Sequence, residues 1–431
     1  MKVEPLREQY KLAQYILIVL FLLGQFFLRV HNPLEQPAFV DESHHIQRGG
    51  IVYTFDRNPV ELSHGKLLFY YWLGLFLPGG DSALATGRLA VAVFSLITSA
   101  VIAVLARALF GERAILPALV FYALAPWTVF FERMALADSF AGGLAALTAW
   151  QCIRLARSPA PTRRFGAWIG LLVAATMFGK MTTIFVSTLP FAAVLLSDIR
   201  PAGYSRAELR AWLFALWARF GLAWVAAAIA VGVVWVIYLI GLLAYQLSGQ
   251  TPMVFTGSLV DGAPGAPGLF SNVRDTLIGA RYLLSIPMTA GLIALTAMVV
   301  RQRAAATVFA LVWLAALWGP VIVWGNPVKT RYLMTGLPVL AVLFGGGIAS
   351  IVFPWKPFPA RNQPRGWQPQ PGPVRFQLAI VPPQLSAVSL AVLTVVLFWA
   401  FDFALPFAQT AATDPEDLDL MARDEYSYIT S

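Results

Sequence analysis

Asp41-Glu42 and Asp138 are carboxylates in short polar stretches of an otherwise apolar chain, and Lys66, Lys180, Arg88 and Arg331 are cations in similar settings. A carboxylate can take a proton from a hydroxyl or amine as general base, and cations can stabilise a departing anion. Together they suit a group transfer in which a nucleophile is deprotonated while a charged group leaves. Each residue also has an ordinary reading. Pro37-Ala38-Phe39-Val40 is an extended approach to a helix that begins near Asp41, and acidic side chains suit that end of a helix dipole. Arg88 and Arg331 each open an apolar run, where a cation serves as an interfacial anchor, and Lys180 can snorkel. Asp41, Asp138, His44 and His45 are candidate ligands of a divalent metal, although Asp41, Glu42, His44 and His45 cannot all converge on one ion from a single helix.

The elements that must position these residues follow from composition. Of 431 residues 58% are hydrophobic and only 12% charged, too apolar a balance for a soluble fold to hide. The surrounding solvent is lipid. Basic residues exceed acidic ones, 31 to 22, but no basic-aromatic cluster marks a nucleic-acid surface. The single cysteine, Cys152, excludes an intrachain disulfide and a thiolate metal site. The first apolar run lacks a small-residue cleavage site and reads as a retained span.

Apolar runs long enough to cross a bilayer cover 12–30, 84–109, 114–131, 139–155, 222–247, 277–300, 304–324, 332–353 and 385–405. The run 165–196 is too long for one ordinary helix, is interrupted by Gly179-Lys180 and has basic flanks at both ends. Two short helices with Lys180 at their tip satisfy those flanks, giving about eleven spans. The fold class is therefore an all-α polytopic membrane protein. With the N-terminus cytoplasmic, most Lys and Arg fall inside, while Asp41, Glu42, His44, His45, His64, Lys66, Arg88, Glu132, Arg133, Asp138, Lys180 and Arg331 fall outside. No acidic residue is read at mid-span, where an ion-coupled carrier usually places one. The aromatic stretch Lys66–Phe76 is too short to cross and is expected to lie along the interface, with Tyr70, Tyr71 and Trp72 as a belt.

Six features occur in order on one membrane face: Asp41-Glu42, His64-Gly65-Lys66, Arg88, Arg133-Met134-Ala135-Leu136-Ala137-Asp138-Ser139, Gly179-Lys180 and Arg331-Tyr332-Leu333. Together they resemble the GT-C membrane glycosyltransferases, in the group related to protein O-mannosyltransferases and the lipid A aminoarabinose transferase. The His-Pro-Pro stretch common near the Lys66 position of that group is absent. The resemblance covers about 12–353. It implies a GT-C transmembrane domain over 1–406 with interfacial helices in the first outer loop, 31–81. It also implies transfer of one sugar, with inversion, from a polyprenyl-phosphate donor to a hydroxyl or amine acceptor at the extracytoplasmic membrane edge. Asp41 then matches the general base, with Glu42 supporting it, and Asp138 the second acidic position, holding the acceptor or a metal. Lys66, Lys180, Arg331 and Arg88 become candidates for the donor phosphate, and Arg133, His64 and Tyr332 for acceptor binding or support. Lys66, Lys180 and Arg331 are expected to converge on one phosphate.

The Gly- and Pro-rich loop 248–270 reads as a flexible outer loop or a lid, and 354–373 as a Pro-rich cytoplasmic linker. The acidic stretch 407–431 reads as an extracytoplasmic tail, the entry to a soluble domain in relatives. The lack of an Asn-x-Ser/Thr sequon fits a prokaryotic plasma (inner) membrane. A lipid or solute transporter or flippase, and a polysaccharide ligase, remain alternative functions. Acidic loops facing one compartment separate an enzyme from a carrier, which has no need of them.

Overall fold

The computed structural model describes residues 4–35, 38–63, 65–248, 269–284, 286–324, 330–352 and 383–397. Every regular element among them is helical. In chain order these are α1 (Glu4–Val30), α2 (Val40–Ile51), α3 (Pro59–Ser63), α4 (Leu67–Gly74), α5 (Ala83–Phe110), α6 (Ile115–Leu124), α7 (Pro126–Phe131), α8 (Ala137–Arg157), α9 (Arg163–Gly179), α10 (Leu189–Ala192), α11 (Arg206–Leu247), α12 (Leu269–Leu284), α13 (Ile286–Trp324), α14 (Leu337–Val352) and α15 (Pro383–Leu397). The sequences at 249–268, 353–382 and 398–431 lie outside the described residues, and with them the outer loop, the linker and the acidic tail.

Local chemistry sets the helix ends. Gly111 closes α5 with φ at 93°, a left-handed conformation that glycine adopts without a Cβ clash. Thr162 caps α9 by accepting the Phe165 N–H at 3.2 Å. Ser205 and Glu208 form a reciprocal capping box at the start of α11. The run 114–131, expected as one span, breaks between α6 and α7, because Pro126 has no N–H and drives Ala125 to an extended φ/ψ of −59° and 132°. The stretch α13 is two helices meeting at a kink at Arg303, with φ/ψ of −140° and 52°, so the break expected between 277–300 and 304–324 is present, and the first of the two begins at Ile286.

α14 is the centre of the bundle, with every residue from Leu337 to Ser350 buried. It packs against α5, α6 and α13, while α8 packs between α5 and α9. α9 and α11 approach very closely. A Cβ added at Gly166 or Gly170 would lie 2.1 or 2.2 Å from the Ala223 or Ala227 carbonyl oxygen, so small residues at i and i+4 fix this contact. In contrast α1 and α11 turn large apolar side chains outward, including Leu20, Phe27, Val233 and Ile240, as lipid-facing helices do. At 42 residues α11 is about 63 Å long, twice a hydrocarbon core, so its basic first turns project beyond it.

Five helical stretches among the described residues are long and apolar enough to cross a membrane: Leu12–Val30, Gly80–Phe110, Arg206–Leu247, Arg303–Val323 and Arg331–Val352. Three shorter apolar stretches join them, Met181–Leu196, Met288–Val300 and Ser386–Leu397. Length and apolarity by themselves thus give five candidates for the roughly eleven crossings expected. The short helices expected in the first outer loop are present as α2, α3 and α4. One expectation there is corrected. Tyr70 is no interfacial belt residue, because it and Phe69 and Leu73 are fully enclosed against α5 and α8.

Candidate functional site

Phe39 is buried at the N-cap of α2, and Asp41 and Glu42 follow in its first turn with opposite fates. Glu42 is fully buried. Its carboxylate accepts the Phe39 N–H at 3.0 Å, the Ala135 N–H at 2.7 Å, and two donors of Arg88, Nε at 2.9 Å and Nη2 at 2.6 Å. Arg88 gives Nη1 to the Pro33 carbonyl at 2.5 Å. This bidentate pair joins α2, α5 and the segment before α8, a use of charge that suits burial because both partners are satisfied. Arg88, expected at the donor phosphate, is placed in that joint instead.

Asp41, by contrast, keeps about a third of its side chain exposed and pairs with Arg331 at 2.5 Å. Arg331 belongs to the 3-10 helix Thr330–Gly336 that leads into α14. The second pair, Asp138 with Lys180, joins the first turn of α8 to the residue that ends α9, and both side chains are 7% exposed. The helix break expected at Gly179-Lys180 is present, and a 3-10 helix, Met181–Thr188, carries the chain onward. Tyr332 stands between the two pairs. The Lys180 ammonium is 4.2 Å from its ring centroid and the Arg331 guanidinium 5.3 Å, so cation–π attraction holds both cations to one ring.

Lys66 reaches the same place through a backbone link. Gly65 holds φ at +72° and its carbonyl accepts the Met181 N–H at 2.9 Å, setting Lys66 and Lys180 side by side in the fold. Burial, then the charge of Lys180, pulls the Lys66 pKa down to about 8, with Arg331 adding to the shift and Asp41 and Asp138 opposing it. The His45 pKa is also held well below its ordinary value, by burial and then by Lys66, Arg331, Arg48 and Lys180. Lys66, Lys180 and Arg331 therefore act on one another across a single site. Three cations against the carboxylates of Asp41 and Asp138 leave one positive charge in excess, which suits an anionic ligand.

The other expected residues stand elsewhere. Arg133 holds the end of α1, giving Nη2 to the His31 and Asn32 carbonyls at 2.8 Å each and pairing with Glu35. His44 is exposed, and His64 lies outside the described residues. Among the described residues no group of three or more His, Cys, Asp or Glu side chains is placed to hold a metal ion, and Asp41 and Asp138 face cations.

Two buried polar groupings have no counterpart in the sequence reading. Arg29 pairs with Glu132 at 3.0 Å and donates to the Ala123 and Tyr122 carbonyls, while Tyr122 donates to the other oxygen of Glu132. One turn earlier Gln25 bonds Ser95 and Ser99 on α5. Gln25 and Arg29 are polar residues at i and i+4 in an apolar helix, and that spacing was the available signal.

No family model matches this sequence, and no curated protein does. Solved structures do. The lipid A aminoarabinose transferase ArnT from Cupriavidus metallidurans bound to undecaprenyl phosphate superposes with a TM-score of 0.53 at 15% identity, over 78% of this chain and 60% of that one. Its apo state gives 0.51 at 14%, over 79% and 60%. The archaeal oligosaccharyltransferase AglB from Archaeoglobus fulgidus, in complex with an inhibitory peptide and a dolichol-phosphate, gives 0.50 at 14%, over 80% and 51%. This chain thus has the GT-C membrane fold, as its motifs imply, and spans about 60% of the length of the aminoarabinose transferase.

Proposed function

We propose that this chain is a membrane glycosyltransferase that moves a single sugar from a polyprenyl-phosphate donor to a hydroxyl or amine acceptor on the extracytoplasmic side, with inversion. The observation that carries this reading is the gathering of Asp41–Arg331, Asp138–Lys180 and Lys66 at one end of a lipid-facing bundle. A donor with a polyprenyl tail must present its phosphate at a membrane edge, and that is where an excess of cations is useful.

In the reaction the acceptor oxygen or nitrogen forms a bond to the anomeric carbon and loses its proton to the Asp41 carboxylate. The bond between that carbon and the phosphate oxygen breaks, and its electron pair leaves with the polyprenyl phosphate. The phosphate thereby changes from a diester monoanion to a monoester that carries more charge. Cations that hold it gain interaction as the transition state is approached, which is the form of binding that accelerates the step. Asp41 is suited to the base role because it is the more exposed of the two carboxylates. A phosphate that competes for Arg331 also frees Asp41 to accept a proton. Asp138, enclosed with Lys180, positions that lysine and the acceptor.

The test is turnover with a panel of radiolabelled polyprenyl-phosphate sugars. Asp41→Asn is expected to abolish transfer and leave donor binding largely intact, since a base acts in the transition state. Retention of more than about a tenth of the rate, well above the usual loss of a general base, would assign the base to another residue.

A further inference from the structure

On α12 the sides of the helix are reversed relative to one that faces water. Leu269, Phe270, Val273, Leu277 and Ile278 are exposed, whereas the buried side chains among those described are Asn272 and Thr276, each 4% exposed. Four residues apart, these two lie one above the other on a single face. A helix that borders lipid turns its apolar side outward, but the polar groups it turns inward must still be paired. Here they are not. Asn272 Oδ1 and Thr276 Oγ1 are buried and have no hydrogen-bond partner among the described residues. One other buried side-chain oxygen among those residues shares that condition, the Ser139 hydroxyl in the first turn of α8, next to Asp138.

The three oxygens have a neighbour in common. α8 and α12 both pack against the 3-10 helix Thr330–Gly336, which carries Arg331 and Tyr332. Ser139 is on the face of α8 that meets it, since a Cβ added at Gly142, one turn on, would stand 3.0 Å from the Thr335 carbonyl oxygen. A buried oxygen without a partner is costly unless a ligand uses it. Asn272, Thr276 and Ser139 are uncharged, so they supply neither the charge that a phosphate needs nor the apolar surface that suits a polyprenyl tail. An amide or a hydroxyl meets a ligand hydroxyl in either sense, as donor or as acceptor.

We propose that Asn272 and Thr276, together with Ser139, bind hydroxyls of the donor's sugar and so set which sugar is accepted. The anomeric carbon is bonded to a phosphate oxygen, so a phosphate held at Arg331 puts the sugar ring beside the helices that pack on either side of that residue's element. This rests on the glycosyl-transfer reading for the identity of the ligand, but the unpaired oxygens do not. Ordered water is the rival occupant, since it commonly meets buried polar groups that lack a partner in the protein.

Binding is measured with undecaprenyl phosphate, bare and carrying a hexose, a pentose or an aminopentose. Wild-type protein is expected to hold one sugar-bearing carrier more tightly than the bare one, and equal affinity for all of them overturns the proposal without any variant. Thr276→Val and Asn272→Leu should each weaken the preferred carrier about fivefold, the worth of one uncharged hydrogen bond, and leave the bare carrier unchanged. Thr276→Ser, which keeps the hydroxyl, should hold the wild-type affinity. Without ligand, Thr276→Val should melt no lower than the wild type, because an apolar isostere replaces an oxygen that bonds nothing. A lower melt would reveal a partner within the protein and overturn the proposal. Equal losses for the bare and sugar-bearing carriers would do the same, as would unchanged affinity for every carrier, which leaves the oxygens to water alone. Lys66→Met and Arg331→Met separate the sugar site from the reading it rests on. If they weaken binding of the bare carrier and the α12 variants lose nothing, only the sugar site fails. If they leave the bare carrier unchanged, the phosphate site itself is wrong.

Discussion

Lys66 carries its charge at a cost, since burial and the neighbouring Lys180 lower its pKa from 10.5 to about 8. An arriving phosphate supplies the anion that this ammonium lacks, so binding favours the protonated form. The sign follows directly. Below about pH 8 Lys66 is charged and would attract the phosphate of the proposed donor, and above it the amine is neutral and that attraction is lost. Affinity for undecaprenyl phosphate is therefore expected to fall as pH rises through about 8, where an ordinary lysine would still be charged. Lys66→Arg should remove that limb, because a guanidinium stays protonated throughout. Titration of binding against pH, from about 7 to 9.5, decides the matter. A wild-type affinity that is flat over that range excludes Lys66 from the phosphate site. The residue types were readable from the sequence because carboxylates and cations stand out in an apolar chain. Their pairing was not, because Asp41 meets Arg331 only through the folded bundle.

At the scale of elements, Glu42 is the clearest case of a residue whose type was legible and whose work was not. Adjacent to Asp41, it reads as support for a catalytic base. In the fold it accepts donors from Phe39, from the Ala135 backbone and from Arg88, and so fixes where α2 stands relative to α5 and α8. Glu42→Gln removes the charge and keeps the shape, leaving Arg88 enclosed without a counter-ion. Breaking a buried pair on one side costs about 3–5 kcal/mol, so a large fall in melting temperature in detergent is expected. Asp41→Asn, at a partly exposed position, should melt close to the wild type at the same scan rate. A Glu42→Gln melt that matches the wild type would show that the pair does not hold these helices together. Helix breaks were readable where charge marks them. Gly179-Lys180 interrupts an apolar run between basic flanks, and α9 does end there. The break at Pro126 lay inside a run that hydropathy treats as uniform, since apolarity says nothing about a missing N–H. Arg29 and Glu132 were similarly hidden, because two charges at the ends of apolar runs reveal a partner only once α1 packs against α5 and α6.

At the scale of the whole molecule, the two ends of the bundle differ in what their charges do. α1 and α9 end, and α5, α8 and α14 begin, at the end that holds the paired carboxylates and cations. The opposite end is marked by Arg107, Arg154 and Arg157 closing α5 and α8, and by Arg163, Arg164, Arg206 and Arg210 opening α9 and α11. An excess of such loop cations is expected on the cytoplasmic side, and by that rule the proposed site would lie outside. Membrane-impermeant maleimide in intact cells tests this with positions that leave the site untouched. Cys152 is fully buried and is replaced by Ser to give a clean background. Asp56→Cys, in the exposed turn between α2 and α3, is expected to label directly. Tyr204→Cys, 90% exposed just before α11, is expected to label only after the membrane is opened. The reverse pattern would place Asp41 and its partners in the cytoplasm. A lipid-linked donor would then have to come from the inner leaflet, and the proposed extracytoplasmic acceptor would be ruled out whatever the chemistry of the site.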